Sequence, residues 1–321
     1  MRPALHADWL PLPLDQWQDT QAGLQLRAQI VGKTRLALAP MQNHWWHTAL
    51  YVTARGLGTS PMPYGPRTLE IDFDFIDHVL LFRTSDGTVR KLPLRPQTIA
   101  EFFGEYLAAL RSLDIDVPIW PVPAEFPDPI PFLEDAGHSA YDQTAVENFF
   151  QVLLQVDRVL KQFRCRFLGK SSPSHFWWGG FDISCTRFSG RQAPTHPGGI
   201  PHHADFVTRE AYSHECISAG WWPGTHGGAV DDAAFYAYAY PEPAGCADAP
   251  VRPPAARYEA TMREWILPHQ AVVRAEDPDA LVLEFLQATY DTASRLGSWS
   301  RDLVRASPQS PVPLPQSWSS S

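Results

Sequence analysis

Residues 68–94 read TLEIDFDFIDHVLLFRTSDGTVRKLPL. Over Thr68 to Asp77, Leu69, Ile71, Phe73 and Phe75 alternate with Glu70, Asp72 and Asp74. That period of two marks a half-buried strand with the aspartates on its solvated face. Val79 to Thr84 and Val89 to Leu94 continue as strands. Between them Ser85-Asp86-Gly87-Thr88 carries Asp-Gly, a strong hairpin signal, because both residues tolerate the left-handed backbone of a tight turn. Strands that follow one another this closely pair antiparallel. Thr48 to Arg55, Phe181 to Arg187 and Phe235 to Tyr240 are further strand candidates.

Elsewhere the period is three to four. Thr98 to Leu113 places Ile99, Phe102, Phe103, Tyr106 and Leu110 on one face, and Thr98 with Glu101 fits a capping box. Thr144 to Phe163 and Asp279 to Leu296 repeat the pattern, with Pro278 marking the first turn of the latter. Asp15 to Val31 is a weaker helix; Gly32 and Gly169 read as helix C-caps. Runs of strands with helices at their ends predict an α+β fold rather than alternating α/β. The halves also resemble each other. At a constant offset of 132, Trp45 meets Trp177, Trp46 meets Trp178 and Arg55 meets Arg187. The expectation is an internal duplication: two related antiparallel-sheet units with flanking helices, which could merge into one body. Its bounds are 1–116 for the first unit, 117–141 for a proline-rich linker packed on the surface, 142–304 for the second unit and 305–321 for a disordered tail.

The chain of 321 residues is 44% hydrophobic, enough for a packed core, so wholesale disorder is excluded. Its 26 basic and 35 acidic residues leave a net charge of −9, which argues against a nucleic-acid partner. No window approaches the ~18 uncharged apolar residues of a membrane span, so no membrane partner is expected. Met1 to Pro13 lacks the apolar core of a signal peptide. Cys165, Cys185, Cys216 and Cys246 form no CxxC pair and read as the reduced thiols of a cytoplasmic protein. Two oddities remain. The 31 prolines cluster in loops, and six of the 12 tryptophans form doublets at 45–46, 177–178 and 221–222.

Lys33-Thr34 and Lys170-Ser171 each follow a glycine, like the tail of a phosphate-binding loop. The glycine required five residues earlier is Arg27 or Arg164, so that loop is absent. His175 to Arg187 is the densest polar-aromatic segment. Gly179 and Gly180 beside Trp177 and Trp178 permit close approach of a ligand under flat side chains; a tryptophan-rich sheet core fits the same residues. If Ile183 and Cys185 face the core, Asp182, Ser184 and Thr186 face away from it. His214-Glu215 opens like the zinc-helix motif, but position 218 is serine and the motif is missing. The pair could still move protons, although neighbours on a strand point to opposite faces. His175, Asp182, His214 and Glu215 have metal-ligand chemistry, but spacing alone does not bring them together, nor does it place His44, His47, His196, His202 and His203. Metal and cofactor therefore stay open. Tyr236, Tyr238 and Tyr240 share one strand face ahead of Glu242, as a wet pocket wall or as an amphipathic sheet surface.

His175-Phe176-Trp177-Trp178-Gly179-Gly180-Phe181-Asp182, Thr186-Arg187-Phe188-Ser189-Gly190-Arg191, Ser213-His214-Glu215 and Phe235-Tyr236-Ala237-Tyr238 resemble a family of bacterial proteins of similar length. Asn43-His44-Trp45-Trp46 and Glu70-Ile71-Asp72-Phe73-Asp74-Phe75 add to the likeness, which spans roughly residues 8–304. That family is known only as a domain of unknown function. The resemblance implies a bacterial, cytosolic protein and no activity.

The leading expectation from the residues is an enzyme acting on a small organic molecule in an aromatic cleft. His175, Asp182, His214 and Glu215 are its acid–base or metal-binding candidates. Lys170, Trp177, Trp178, Arg187, Trp221, Trp222, Tyr238 and Glu242 are its ligand-binding candidates, with Lys170 or Arg187 as anion anchor. The alternatives are a small-molecule-binding module without chemistry and a structural or partner-binding protein.

Overall fold

The strand that opens the 68–94 stretch lies in the middle of a six-stranded antiparallel sheet in the computed structural model, which describes residues 9–126, 128–200, 203–225 and 230–304. The expected tail 305–321 and His202 lie outside the described residues. This first sheet contains β1 (Tyr51–Val52), β2 (Gly56–Gly58), β3 (Met62–Tyr64), β4 (Arg67–Asp74), β5 (Val79–Thr84) and β6 (Val89–Pro93). Its order is β1-β2-β4-β5-β6, with β3 pairing onto β4. Ile71 lies opposite Phe82 and Phe73 opposite Leu80, so the apolar set predicted from the alternation faces the core. The solvated-face reading of Asp74 is corrected. Asp74 is buried, accepts from the backbone N–H of Ile76 and Asp77 at 3.0 Å, and pairs with Arg55 at 2.5 Å. It fastens the turn into β5 rather than facing water.

The second sheet contains β7 (His175–Trp177), β8 (Asp182–Gln192), β9 (His214–Trp222), β10 (Ala234–Tyr240), β11 (Arg257–Glu259) and β12 (Glu264–Pro268), in the order β11-β12-β10-β9-β8-β7. The helices are α1 (Gln18–Leu38), α2 (Ile99–Arg111), α3 (Gln143–Cys165), α4 (Asp205–Ala211), α5 (His269–Val273) and α6 (Pro278–Leu296). The fold is α+β, as expected. The capping box opens α2: Thr98 Oγ1 accepts from Glu101 N at 3.2 Å and Glu101 Oε2 accepts from Thr98 N at 2.9 Å. Neither glycine is a helix cap. Helix α1 runs past Gly32 to Leu38, and α3 is capped by Arg166, ahead of Gly169. A Cβ on Gly32 would lie 2.2 Å from the Trp178 indole, so this glycine lets a flat ring lie on the helix backbone.

Both sheets bury one face in the same core. Phe149 of α3 stacks on Trp17 and Phe181 at 5.3 Å and also meets Phe75 of the first half and Trp221 of the second. Leu50 and Phe176 exchange two backbone hydrogen bonds of 2.9 Å, which joins the sheets at the β1 and β7 edges. In the proline-rich stretch, the Gln29 amide holds Ala124 through both its N–H and its carbonyl. The duplication finds no support in local structure. Trp45 and Trp46 lie in the 3-10 segment Asn43–Thr48, where His44 and Trp45 have positive φ, whereas Trp177 ends strand β7.

Candidate functional site

Across β8, β9, β10 and β12, Ile183, Trp221, Phe235 and Leu267 form one buried row facing the core. The next row, Ser184, Gly220, Tyr236 and Ile266, points the other way because the side-chain period of a strand is two. Thr186, Ser218 and Tyr238 follow on that same face. Against it lies a cavity of about 820 Å³, adjoined by a second of about 390 Å³. His44, Trp45, Trp46, Glu125, Ile200 and His203 complete the lining from other parts of the chain. Asp182, Glu125, Tyr212, Tyr236 and Tyr238 line both.

Glycine makes the central contact possible. A Cβ on Gly220 would lie 2.6 Å from the Tyr236 hydroxyl, so the phenol crosses an unsubstituted backbone to donate to Asp182 Oδ2. Burial pushes the Asp182 carboxyl up to about 7, with the Glu125 charge adding to the rise and the Tyr236 hydroxyl opposing it. Glu264, at the edge of the larger cavity, is pushed up to about 8 by burial and by Asp182. Burial likewise raises Tyr236 and Tyr238 well above the usual phenol range. The Tyr212 and Tyr238 hydroxyls share a hydrogen bond of 2.7 Å. His196 stacks on Tyr212 at 5.1 Å, and His203 sits 3.4 Å from Glu125, which raises its imidazole pKa. The arrangement offers a proton-exchanging carboxyl at neutral pH, flat walls and hydroxyl donors. Among the described residues no group of three or more His, Cys, Asp or Glu is placed to hold a metal ion.

A family model matches residues 9–306, nearly the whole chain. The chain belongs to a family of unknown function, DUF5996. No curated protein and no solved structure matches it.

The residues singled out from the sequence of this DUF5996 chain separate into three groups. Asp182 and Tyr238 line both cavities, Trp222 and Glu242 the larger one, and Trp177 and Trp178 the smaller one. Glu242 is held at the mouth by Tyr258 and Arg263. A second group lies beside the cavities. His175 is buried against Tyr51, Trp46 and Trp177, where burial and the charges of Arg35 and Arg164 lower its pKa to about 3 and keep it neutral. Lys170 is exposed, with Nζ 2.7 Å from His44 Nε2. His214 packs edge-on to His44, while Glu215 pairs with Arg191 at 2.7 Å, so the two neighbours serve different contacts. The third group faces the core. Trp221 is fully buried, and the Arg187 guanidinium lies 3.4 Å over the Phe163 ring and donates to the Phe163 carbonyl. Odd numbering along β8 and β9 turns both away from the cavity.

Gly179 and Gly180 do allow a close approach, but by Glu125. A Cβ on Gly179 would meet its Oε1 at 2.2 Å. Tyr236, Glu264, Glu125, Tyr212 and Lys33 are among the lining residues that the sequence reading did not select. For Tyr236 the signal was present in the alternation Phe235-Tyr236-Ala237-Tyr238. For Glu125, inside a proline-rich stretch, no local signal existed.

Proposed function

We propose that this protein is an enzyme that performs acid–base chemistry on a small organic molecule, with Asp182 as the general base. The observation that carries the reading is the Asp182 carboxyl itself. It sits at the junction of two aromatic cavities, takes a hydrogen bond from Tyr236, and is raised to the neutral range where a base is most effective. The stacked Tyr236 and Tyr238 rings, 6.2 Å apart, would orient a flat substrate beside it. Unpaired cysteines, three of them buried, accord with a cytoplasmic setting.

The test is incubation of wild-type and Asp182→Asn protein with a small-metabolite extract, followed by mass spectrometry. The wild type should deplete a metabolite at a rate that rises through pH ~7, where the base ionises, and Asp182→Asn should lose ~10²–10⁴-fold of that rate. Equal turnover by both proteins would refute the assignment. The aromatic walls also favour a second reading, a binding module, which saturable tryptophan quenching without product formation would establish.

A further inference from the structure

Lys33 lies on α1 and is 6% exposed, yet it lines the smaller cavity. Its Nζ sits 5.7 Å from the Trp178 ring centroid, and no carboxylate or other acceptor pairs with it among the described residues. Two other buried cations of this chain, Arg27 and Arg187, have carbonyl acceptors. Arg27 donates to the carbonyls of Gln97, Arg95 and Ala140, and Arg187 to that of Phe163. Stripping an ammonium of part of its water without an ionic partner is costly, and burial lowers Lys33 only to about 8, which leaves it mainly cationic at neutral pH. Trp45 Nε1 is a buried donor without a partner, and Trp45 lines the same cavity. An unpaired cation and an unpaired N–H both ask for an acceptor. Around them stand the indoles of Trp46, Trp177 and Trp178, which accept a flat apolar body.

We propose that Lys33 anchors the carboxylate of a flat, largely apolar organic acid that enters the smaller cavity. Glu125 and Asp182, at the junction with the larger cavity, repel a second anionic group, which favours a monocarboxylate over a phosphate ester. This deepens the reading of Asp182 and rests on it only for what happens to the far end of the ligand.

Calorimetric titration tests the anchor with benzoate, cinnamate and 2-naphthoate, each paired with its neutral amide. The wild type should bind at least one acid about tenfold tighter than the matching amide. Lys33→Met should abolish that preference while leaving amide binding within about twofold, and Lys33→Arg should restore part of it. Lys33→Met should melt no lower than the wild type, since it removes a partly desolvated charge that has no ionic partner; if it does not fold, Lys33→Gln provides the same comparison. Acid and amide binding alike, no binding of any of the acids, or a preference that survives loss of the lysine would overturn the proposal. Asp182→Asn separates the two readings. A retained acid preference without turnover supports both roles. Turnover that is lost in Asp182→Asn, together with no Lys33 effect, sinks only the anchor.

Discussion

Replacing Asp182 by asparagine is expected to stabilise this protein above neutral pH while removing the proposed general base. The folded carboxyl keeps its proton up to about 7, whereas an ordinary aspartate loses it near 3.8. Between those values the native state binds more protons than the unfolded chain, so stability falls as pH rises through that window, and the full penalty stands above it. A rise of roughly three pH units, at about 1.36 kcal/mol per unit, is a penalty of about 4 kcal/mol. Relaxation of the surroundings offsets part of such a penalty, so the expected gain is about 2–4 kcal/mol for Asp182→Asn at pH ~8. The asparagine carbonyl can still accept from Tyr236, so the substitution removes charge and not shape. Urea unfolding followed by tryptophan fluorescence at pH ~8, ~6 and ~4 measures it. The gain should shrink steadily to under about 1 kcal/mol by pH ~4, close to the value of 3.8 at which the unfolded carboxyl itself takes up its proton. A variant that is less stable at pH ~8, or a gain independent of pH, would refute the reasoning.

Tyr236→Phe removes the donor that opposes the rise of Asp182, so the carboxyl should titrate one to two units higher, about 1.5–3 kcal/mol, in a ¹³C NMR titration. Gly32→Ala should destabilise the fold by about 1–3 kcal/mol despite the better helix propensity of alanine, because its methyl meets the Trp178 indole; the midpoint of urea denaturation reads it. Phe149→Ala should cost about 3–5 kcal/mol, and calorimetry should still show one cooperative transition, since that ring touches both halves; two separate transitions would contradict a shared core.

Much of the frame was legible from local pattern. The 68–94 alternation placed β5 and β6 within a residue and β4 with an overrun of three residues into the turn after Asp74, because a strand with one buried face writes its period directly into the chain. Thr98 and Glu101 announced the start of α2 for the same reason: a cap satisfies its neighbours. Strand β9 was missed, since Ser218, Ala219 and Gly220 carry little β-propensity and the strand is held by partners on both sides. Gly32 misled because a glycine that admits a distant ring looks like one that ends a helix. The site was half legible. Asp182 and the tyrosine face follow from parity along β8 and β10, but Glu125, Glu264 and Lys33 arrive from three other parts of the chain. Their convergence is a property of tertiary packing. Parity also explains why Trp221 and Arg187, chosen for their chemistry, look into the core.

The backbone exchange between Leu50 and Phe176 has a consequence for synthesis. Strand β1 has its edge partner far downstream, so the first sheet must wait with an open flank while the ribosome makes α2, the proline-rich stretch and α3. At ~5–20 residues per second that delay is on the order of ten seconds. During it, Leu50 and its neighbours offer an unpaired strand edge to any other nascent chain. Short β1, only Tyr51–Val52, limits that exposure, and the late arrival of Phe176 closes it.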